Sequence, residues 1–512
     1  MVTSVIKIPA APSTRLSSRA RFNVPFWAVL GVALAAVILC MLPKSIVDPD
    51  IGWHLRNAAW LVQRHSFLHK DVYSFTVAGK PWIDPEWLAE LVFYAGWRSW
   101  GDQGVFLVEW LSILGVMFGI FGLGWQRTHD LRSAFAVTYA ALFLASVSFG
   151  PRTLLFGWLC LVAELAILER FRSCGADAAR VLWLLPPLFA LWINLHGSWL
   201  IGLMLLAVFC GSGFFAGRWG CIEAVPWQPE QRRTLGVVFL LSVAALFANP
   251  YGWRLVVYPF DLAFRQKLNV ASVQEWQSLD FHTPRGKIVL LLLALGIINQ
   301  FVRGRRWALH EAAWLLIGLY AGLTYSRFLF LAAILLLPML ADQIPAAADG
   351  WRRERPLLHG MILVALLLSM AVAYPSRDRL QSAWKQQDPV AAVDYVREHP
   401  PAGHLFTAYE WGGYLILHDP ALPVFIDSRV DVFEHHGILR DYLDAVHLRD
   451  TFAVFRKYDV AAVLFPANAP LTYLLLHTPG WAVSYRDKTA VLLVREPAAA
   501  GPTDAALAAG GQ

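Results

Sequence analysis

Apolar runs separated by short polar connections recur along this chain of 512 residues. A helix needs about 20 apolar residues to cross a bilayer, and eleven runs approach or reach that length. The runs cover residues 25–42, 104–125, 133–150, 153–170, 181–195, 198–216, 234–248, 287–302, 308–324, 327–343 and 357–374. The pattern predicts an all-α polytopic membrane core of about eleven transmembrane helices.

The arginines between these runs predict the orientation of the core. With the N-terminus placed inside, each inner connection holds two or three arginines, whereas the short outer turns hold only Arg152 and Arg327. Basic residues accumulate on the inner side of membrane proteins. The sequence therefore predicts a cytoplasmic tail over residues 1–24 and a C-terminal region on the outer side.

Two of the predicted outer connections are long, at residues 44–103 and 249–287. The first contains a part-apolar segment, Ile51 to Arg64, which we expect to form a helix along the membrane interface. A second helix is predicted from Pro85 to Trp100. The transmembrane domain with these loops is expected to end at residue 374.

The composition changes after residue 375, where short strand-like and helical segments alternate. Such alternation predicts a small soluble α/β domain over residues 375–496. Residues 497–512 are rich in alanine and glycine and are predicted to be disordered. The predicted strands are His404–Thr407, Pro423–Ile426, Val460–Leu464 and a closing hairpin of Trp481–Tyr485 and Thr489–Arg495.

The composition agrees with a membrane protein, because 57% of the residues are hydrophobic and only 16% are charged. The net charge of +6 comes from cations in short loops, where they determine topology, so it does not indicate nucleic-acid binding. The five cysteines show no metal-ligand spacing.

An unusual polar cluster follows the first apolar run, with the sequence Asp48-Pro-Asp50-Ile-Gly-Trp-His54-Leu-Arg56. Charge beside hydrocarbon is costly and calls for a reason. Further polar residues that the predicted topology places on the same outer side are Asp84, Glu86, Arg152, His196, Glu275 and Arg327. This distribution favours a site on the outer face.

The segment Asp50 to Arg56 resembles the Asp-x-x-x-His-x-Arg pattern in the first outer loop of oligosaccharyltransferase catalytic subunits. The wider layout is similar to the GT-C glycosyltransferases, which use polyprenyl-phosphate-linked sugars and include protein mannosyltransferases and lipid A aminoarabinose transferases. The resemblance implies a hexosyl- or pentosyltransferase of the bacterial cytoplasmic (inner) membrane. Its expected partners are the bilayer, a polyprenyl-phosphate-linked sugar and a lipid, glycan or protein acceptor.

The chain also departs from this pattern. The Trp-Trp-Asp motif with which oligosaccharyltransferases read their acceptor does not occur, so protein N-glycosylation is not expected. The Trp-Gly-Gly-Tyr sequence at Trp411 and the segment Val424 to Arg429 look like a bacterial group of GT-C-like membrane proteins without assigned activity.

The resemblance assigns a role to each outer polar residue. Asp50, with Asp48 second, would act as the base or bind a divalent cation such as Mg²⁺ or Mn²⁺. The residues proposed to bind substrate are His54, Arg56, Asp84, Glu86, Arg152, His196, Glu275 and Arg327, with the arginines holding phosphate.

Structural explanations compete with these roles. Asp50 is positioned to cap the helix that begins at Ile51, and Arg56 to extend towards the interface from an apolar helix. Asp427, Arg429 and Asp431 are expected to form salt bridges in a loop. At the level of the whole protein, the alternatives are a transporter or lipid flippase and a non-catalytic envelope assembly protein.

Overall fold

The computed structural model describes residues 25–272, 274–344 and 355–496. The predicted tails at 1–24 and 497–512 lie outside these ranges. Up to residue 373 the helices are α1 (Phe26–Met41), α2 (Ile51–Arg64), α3 (Trp87–Trp100), α4 (Asp102–Thr128), α5 (Leu131–Ala145), α6 (Leu154–Cys174), α7 (Leu185–Leu195), α8 (Trp199–Ser212), α9 (Pro229–Ala245), α10 (Trp253–Arg265), α11 (Lys267–Ser272), α12 (Pro284–Arg303), α13 (Leu309–Thr324), α14 (Leu329–Leu340) and α15 (Pro356–Ala373).

Each of the eleven predicted apolar runs is helical in the described part of the chain. They correspond to α1, α4 to α9 and α12 to α15. Five described segments are long and apolar enough to cross a membrane, namely 102–128, 178–195, 284–303, 326–343 and 356–373. The segment 178–195 begins as a 3₁₀ helix and becomes α-helical at Leu185, beside Pro186 and Pro187.

The helix α4 lies centrally in the bundle and packs against α3, α5, α6 and α14. Its buried side chains, such as Phe106, Ile113 and Met117, belong to one continuous hydrophobic core. In contrast, only 6% of α15 is buried, so most of this apolar helix faces outward. Such a surface is stable in a bilayer and not in water.

The two helices predicted in the first long loop are present as α2 and α3, although α3 begins at Trp87 and not at the predicted Pro85. They pack against each other beside the end of the bundle at which α1 ends and α4 begins. At the opposite end, β1 (Gly217–Trp219), β2 (Ile222–Ala224) and β3 (Trp307–Ala308) form a small sheet that the sequence pattern did not predict.

The C-terminal region contains a four-stranded sheet in the order β4 (His404–Thr407), β5 (Val460–Pro466), β7 (Ala490–Arg495) and β6 (Trp481–Arg486). The strands β4 and β5 are parallel, whereas β7 pairs antiparallel with β5 and β6. The elements of this region are α16 (Arg377–Gln387), α17 (Val390–Glu398), β4 (His404–Thr407), α18 (Gly412–His418), α19 (Val430–His435), α20 (Ile438–Val446), α21 (Thr451–Lys457), β5 (Val460–Pro466), α22 (Pro470–Leu476), β6 (Trp481–Arg486) and β7 (Ala490–Arg495).

The prediction of a strand at Pro423–Ile426 is wrong. This segment joins no described sheet and makes only an isolated bridge between Val424 and Ser74 of the first long loop. The apolar residues Phe425 and Ile426 are buried, because the segment passes between that loop and the C-terminal sheet. Burial of a short apolar run therefore did not require a place in a sheet.

Candidate active site

The start of α2 directs the acidic cluster towards a cavity. Asp50 lies in helical backbone geometry and its side chain caps no helix N–H, so the capping explanation for this residue is wrong. Its carboxylate instead accepts a hydrogen bond of 3.3 Å from the Trp53 indole Nε1. Asp48 makes the local turn, since its Oδ1 accepts the Asp50 backbone N–H at 3.0 Å.

The helical period separates the members of the sequence motif. Residues three or four positions apart share a face of a helix, and residues two apart do not. Asp50, Trp53 and His54 therefore line the cavity together. Arg56 is not among the lining residues, so the motif resembles a single site in sequence without forming one in space.

Behind this face, two histidines and three acids form a buried polar layer. His54 Nδ1 lies 2.7 Å from Glu90 Oε1, and His196 Nε2 lies 3.3 Å from Glu86 Oε1. The Thr153 hydroxyl donates to Glu86 Oε2 at 2.5 Å. Asp84, the third acid of the layer, is buried and does not line the cavity; its Oδ1 accepts the Glu86 backbone N–H at 3.2 Å.

Burial sets the protonation states in this layer, because desolvation disfavours charge. It raises the pKa of Glu86 to about 8 and that of Asp84 to about 6. The pKa values of His54 and His196 are lowered to about 3, again first by burial. At neutral pH, Glu86 is therefore largely protonated and both histidines are neutral.

Two arginines approach the cavity from the ends of membrane helices. Arg152 donates from Nε to Asp48 Oδ2 at 3.0 Å and also contacts Glu275. Arg327 lies with its guanidinium carbon 4.3 Å from the centre of the Trp276 ring. Its buried Nε has no hydrogen-bond partner, and it forms no ion pair with any residue that the structure describes.

The cavity between these groups has a volume of about 460 Å³. Eight of the residues singled out from the sequence line it, namely Asp48, Asp50, His54, Glu86, Arg152, His196, Glu275 and Arg327. The sequence reasoning missed lining residues from α10 and the C-terminal region, including Tyr258, Glu410, Ser428, Arg429 and Asp431. For the lining residues of the C-terminal region, the only signal in the sequence was the segment Val424 to Arg429.

The C-terminal region closes one side of the cavity through a contact between two glycines. A Cβ atom on Gly52 would lie 2.0 Å from the Gly413 carbonyl oxygen, and one on Gly413 would lie 2.2 Å from the Pro49 oxygen. Only glycine permits this approach of α2 and α18. Ser428 supports it, because its hydroxyl donates to the Pro49 oxygen at 2.9 Å and accepts from Trp53 Nε1 at 2.9 Å.

The expected loop salt bridges of Asp427 and Arg429 are present but buried in the core of this contact. Arg429 Nη2 lies 2.6 Å from Asp427 Oδ2 and 2.7 Å from Asp71 Oδ1, which belongs to the first long loop. Asp431 makes no described ion pair, and burial raises its pKa to about 6. The buried pair thus ties the C-terminal region to the loop that carries Asp50.

The donor set does not by itself form a metal centre. Over residues 25–272, 274–344 and 355–496, no group of three or more histidine, cysteine, aspartate or glutamate side chains is arranged to hold a metal ion. Asp48, which could have joined Asp50, is already paired with Arg152.

No known protein family and no curated protein sequence matches the chain. Several solved structures, in contrast, match the fold of the chain. ArnT from Cupriavidus metallidurans bound to undecaprenyl phosphate matches with a TM-score of 0.53 and 14% identity, covering 93% of this chain and 98% of that protein. The Archaeoglobus fulgidus oligosaccharyltransferase tethered to an acceptor peptide matches with a TM-score of 0.52 and 10% identity, covering 92% and 74%.

A second structure of the Archaeoglobus fulgidus enzyme, AglB in complex with an inhibitory peptide and a dolichol-phosphate, matches with a TM-score of 0.50 and 10% identity, covering 86% of this chain and 69% of that one. At such identities the likeness establishes the fold. The protein has a GT-C-like membrane fold with a C-terminal domain, and it is a multi-pass membrane protein.

Proposed function

We propose that the protein transfers a sugar from a polyprenyl-phosphate donor to an acceptor at the outer face of the cytoplasmic membrane. The observation that carries this proposal is that Asp50 and Arg327 line the same cavity, while Arg327 forms no ion pair with any carboxylate in the described ranges and its Nε has no hydrogen-bond partner. The Arg327 side chain is half-buried and its Nε is buried without a hydrogen-bond partner, and a substrate phosphate would supply the missing anion.

Arg327 is suited to hold the donor phosphate. Its guanidinium is planar and can bind two phosphate oxygens at once, and it lies in cation–π contact with the Trp276 ring. Arg152 adds a second cation, although Asp48 and Glu275 already share its charge. The printed ligands of the similar structures, undecaprenyl phosphate and dolichol-phosphate, support a polyprenyl phosphate as the leaving group.

Asp50 is the preferred base. Its position at the edge of the cavity lets its free carboxylate oxygen take the proton of an acceptor hydroxyl or amine. The acceptor oxygen or nitrogen then bonds to the anomeric carbon, and the carbon–oxygen bond to phosphate breaks with its electron pair. Burial raises the pKa of Asp50 and so strengthens it as a base. Asp48 is less available because Arg152 holds it.

The protonated Glu86 supplies a donor where the phosphate or a sugar hydroxyl would accept one. The neutral histidines His54 and His196 fix the orientation of this layer, since each contacts a glutamate. No role in the cavity is assigned to Arg56 or to Asp84, which lie outside it. The sugar would be a hexose or pentose, and the acceptor a lipid, a glycan or a protein.

The test supplies purified full-length protein with a panel of polyprenyl-phosphate sugars and measures release of polyprenyl phosphate and acceptor glycosylation. We expect Asp50→Asn to reduce turnover by at least about a hundredfold, the lower range for losing a general base. Arg327→Gln should raise KM for the donor as well. Matched controls are Asp459→Asn and Arg486→Gln, whose side chains are exposed in the C-terminal region.

Unchanged turnover in Asp50→Asn would remove the central assignment. Movement of the lipid-linked sugar across proteoliposomes without release of polyprenyl phosphate would instead establish the flippase alternative. A protein that binds the donor without either reaction would fit an assembly role.

A further inference from the structure

A second cavity, of about 480 Å³, lies away from the active-site cavity and shares no lining residue with it. It occupies the corner where the end of α3 and the start of α4 meet α16 and α18. We call it the corner groove. Its lining residues are Trp97, Arg98, Gly101, Asp102, Arg377, Gln381, Trp384, Lys385, Val390, Tyr414 and His418.

The corner groove lies at the level where two membrane helices end. The segments 102–128 and 356–373 are long and apolar enough to span a bilayer, and α4 begins where α15 ends. Gln103 Nε2 donates to the Pro375 oxygen at 3.0 Å, and the Tyr374 hydroxyl donates to the Gln103 oxygen at 2.7 Å. These bonds bring both helix ends, and hence the membrane surface, to the groove.

The charges of the groove are unbalanced. Arg98, Arg377 and Lys385 are exposed, and none of them forms an ion pair with a carboxylate anywhere in the described ranges. Asp102 is the single acidic lining residue. Three cations around one concave surface repel one another, and a phosphate group would neutralise them with charge-assisted hydrogen bonds.

The helices that end at the corner groove carry exposed apolar side chains. Along α15 the side chains of Leu367, Leu368 and Val372 are exposed, and Trp100 is exposed at the end of α3. Within the groove, the aromatic residues Trp97 and Trp384 are of the type that concentrates at bilayer interfaces. A ligand with a phosphate headgroup and acyl chains would pair its phosphate with the groove cations and its acyl chains with the exposed apolar side chains of α15.

We propose that the corner groove binds the headgroup of an anionic phospholipid of the surrounding leaflet, with the acyl chains lying along α15. A soluble anionic glycan would match the cations but would leave the exposed face of α15 uncovered. The proposal does not depend on the transferase assignment, because the groove is separate from the cavity that holds Asp50 and Arg327.

The test uses delipidated full-length protein titrated with phosphatidylglycerol or phosphatidylcholine and followed by native mass spectrometry. The double variant Arg377→Gln/Lys385→Gln removes two groove cations. Each basic residue near an anionic membrane surface strengthens lipid binding roughly fivefold. The double variant should therefore bind phosphatidylglycerol roughly 20- to 30-fold more weakly. Phosphatidylcholine binding should not change. Lys70→Gln/Lys80→Gln, which removes two exposed cations of the first long loop, is the matched control and should bind like the wild type.

Three results would overturn the proposal: equal affinity of the wild type for both lipids, unchanged phosphatidylglycerol binding by the groove variant, or binding of glycerol phosphate as tight as that of the lipid. The last result would point to a site for free phosphate. If the double variant does not fold, Arg98→Gln on α3 decides the matter, with an expected loss of roughly fivefold.

Discussion

The contact between Gly52 and Gly413 gives the sharpest prediction about this protein. In Gly52→Ala the added Cβ would lie 2.0 Å from a backbone oxygen, about 1.4 Å closer than the 3.4 Å at which ordinary contact begins. Both partners are backbone atoms on packed elements, so no side-chain rotation relieves the overlap. The helix α2 or the C-terminal region must therefore move.

The size of the effect follows from two opposing contributions. Alanine stabilises a helix over glycine by at most about 1 kcal/mol, and by less in the first turn, where Gly52 lies. Overpacking costs typically about 1–3 kcal/mol, and more where backbone must shift. We expect net destabilisation, with a melting temperature lower by a few degrees. Because Asp50 lies two residues away, a displacement of about 1 Å should lower turnover by roughly a hundredfold.

The assay compares Gly52→Ala with Gly122→Ala in α4, using melting temperature in detergent and turnover with a polyprenyl-phosphate sugar. Gly122 is also helical, but a Cβ there would meet nothing within 4 Å. Gly122→Ala therefore has at least as large a propensity gain without the overlap, and it should melt at or above the wild-type temperature with normal turnover. A Gly52→Ala protein that behaves like Gly122→Ala would refute the reasoning.

Three further outcomes are expected. Ser428→Ala loses the hydrogen bonds to Pro49 and Trp53, so kcat should fall about tenfold with little change in KM, while Ser428→Thr should retain activity. Equal losses of activity in both variants would contradict a positioning role. Burial raises the pKa of Glu86 from 4.5 to about 8, so its protonated form contributes stability at low pH that is lost as the pH rises through about 8. The melting temperature of Glu86→Gln should therefore fall less between pH 6 and pH 9 than that of the wild type. Glu164 is buried in α6, and neither of its carboxylate oxygens has a partner, so Glu164→Met should melt at or above the wild-type temperature with normal turnover. Lost turnover would instead give this residue a function within the membrane.

Much of the membrane part could be predicted because its helices depend on local composition. An apolar run of sufficient length forms a helix in a bilayer whatever its neighbours are, since every backbone group must bond within the segment. The helix α2 was equally predictable, with the same bounds from Ile51 to Arg64, because its amphipathic pattern lies within the segment itself. The strand expected at Pro423–Ile426 was predicted wrongly, since the contacts that bury this segment come from the first long loop.

The candidate site shows the same division. The topology rule placed Asp50, Glu86, Arg152 and Arg327 on one side of the membrane, and they line one cavity. It could not say which way α2 is rotated. Packing against α18 turns Asp50 and His54 towards the cavity and leaves Arg56 outside it.

The sequence by itself determined that this protein is a membrane helix bundle with a polar cluster at one end, because the lengths of apolar runs and the positions of charges are local properties. Only the tertiary structure decided the composition of the site. Ser428, Arg429 and Asp431 lie far along the chain from Asp50, and they reach the cavity because Gly52 and Gly413 let two helices approach at backbone distance. Such a contact between distant segments depends on packing, which no local pattern records.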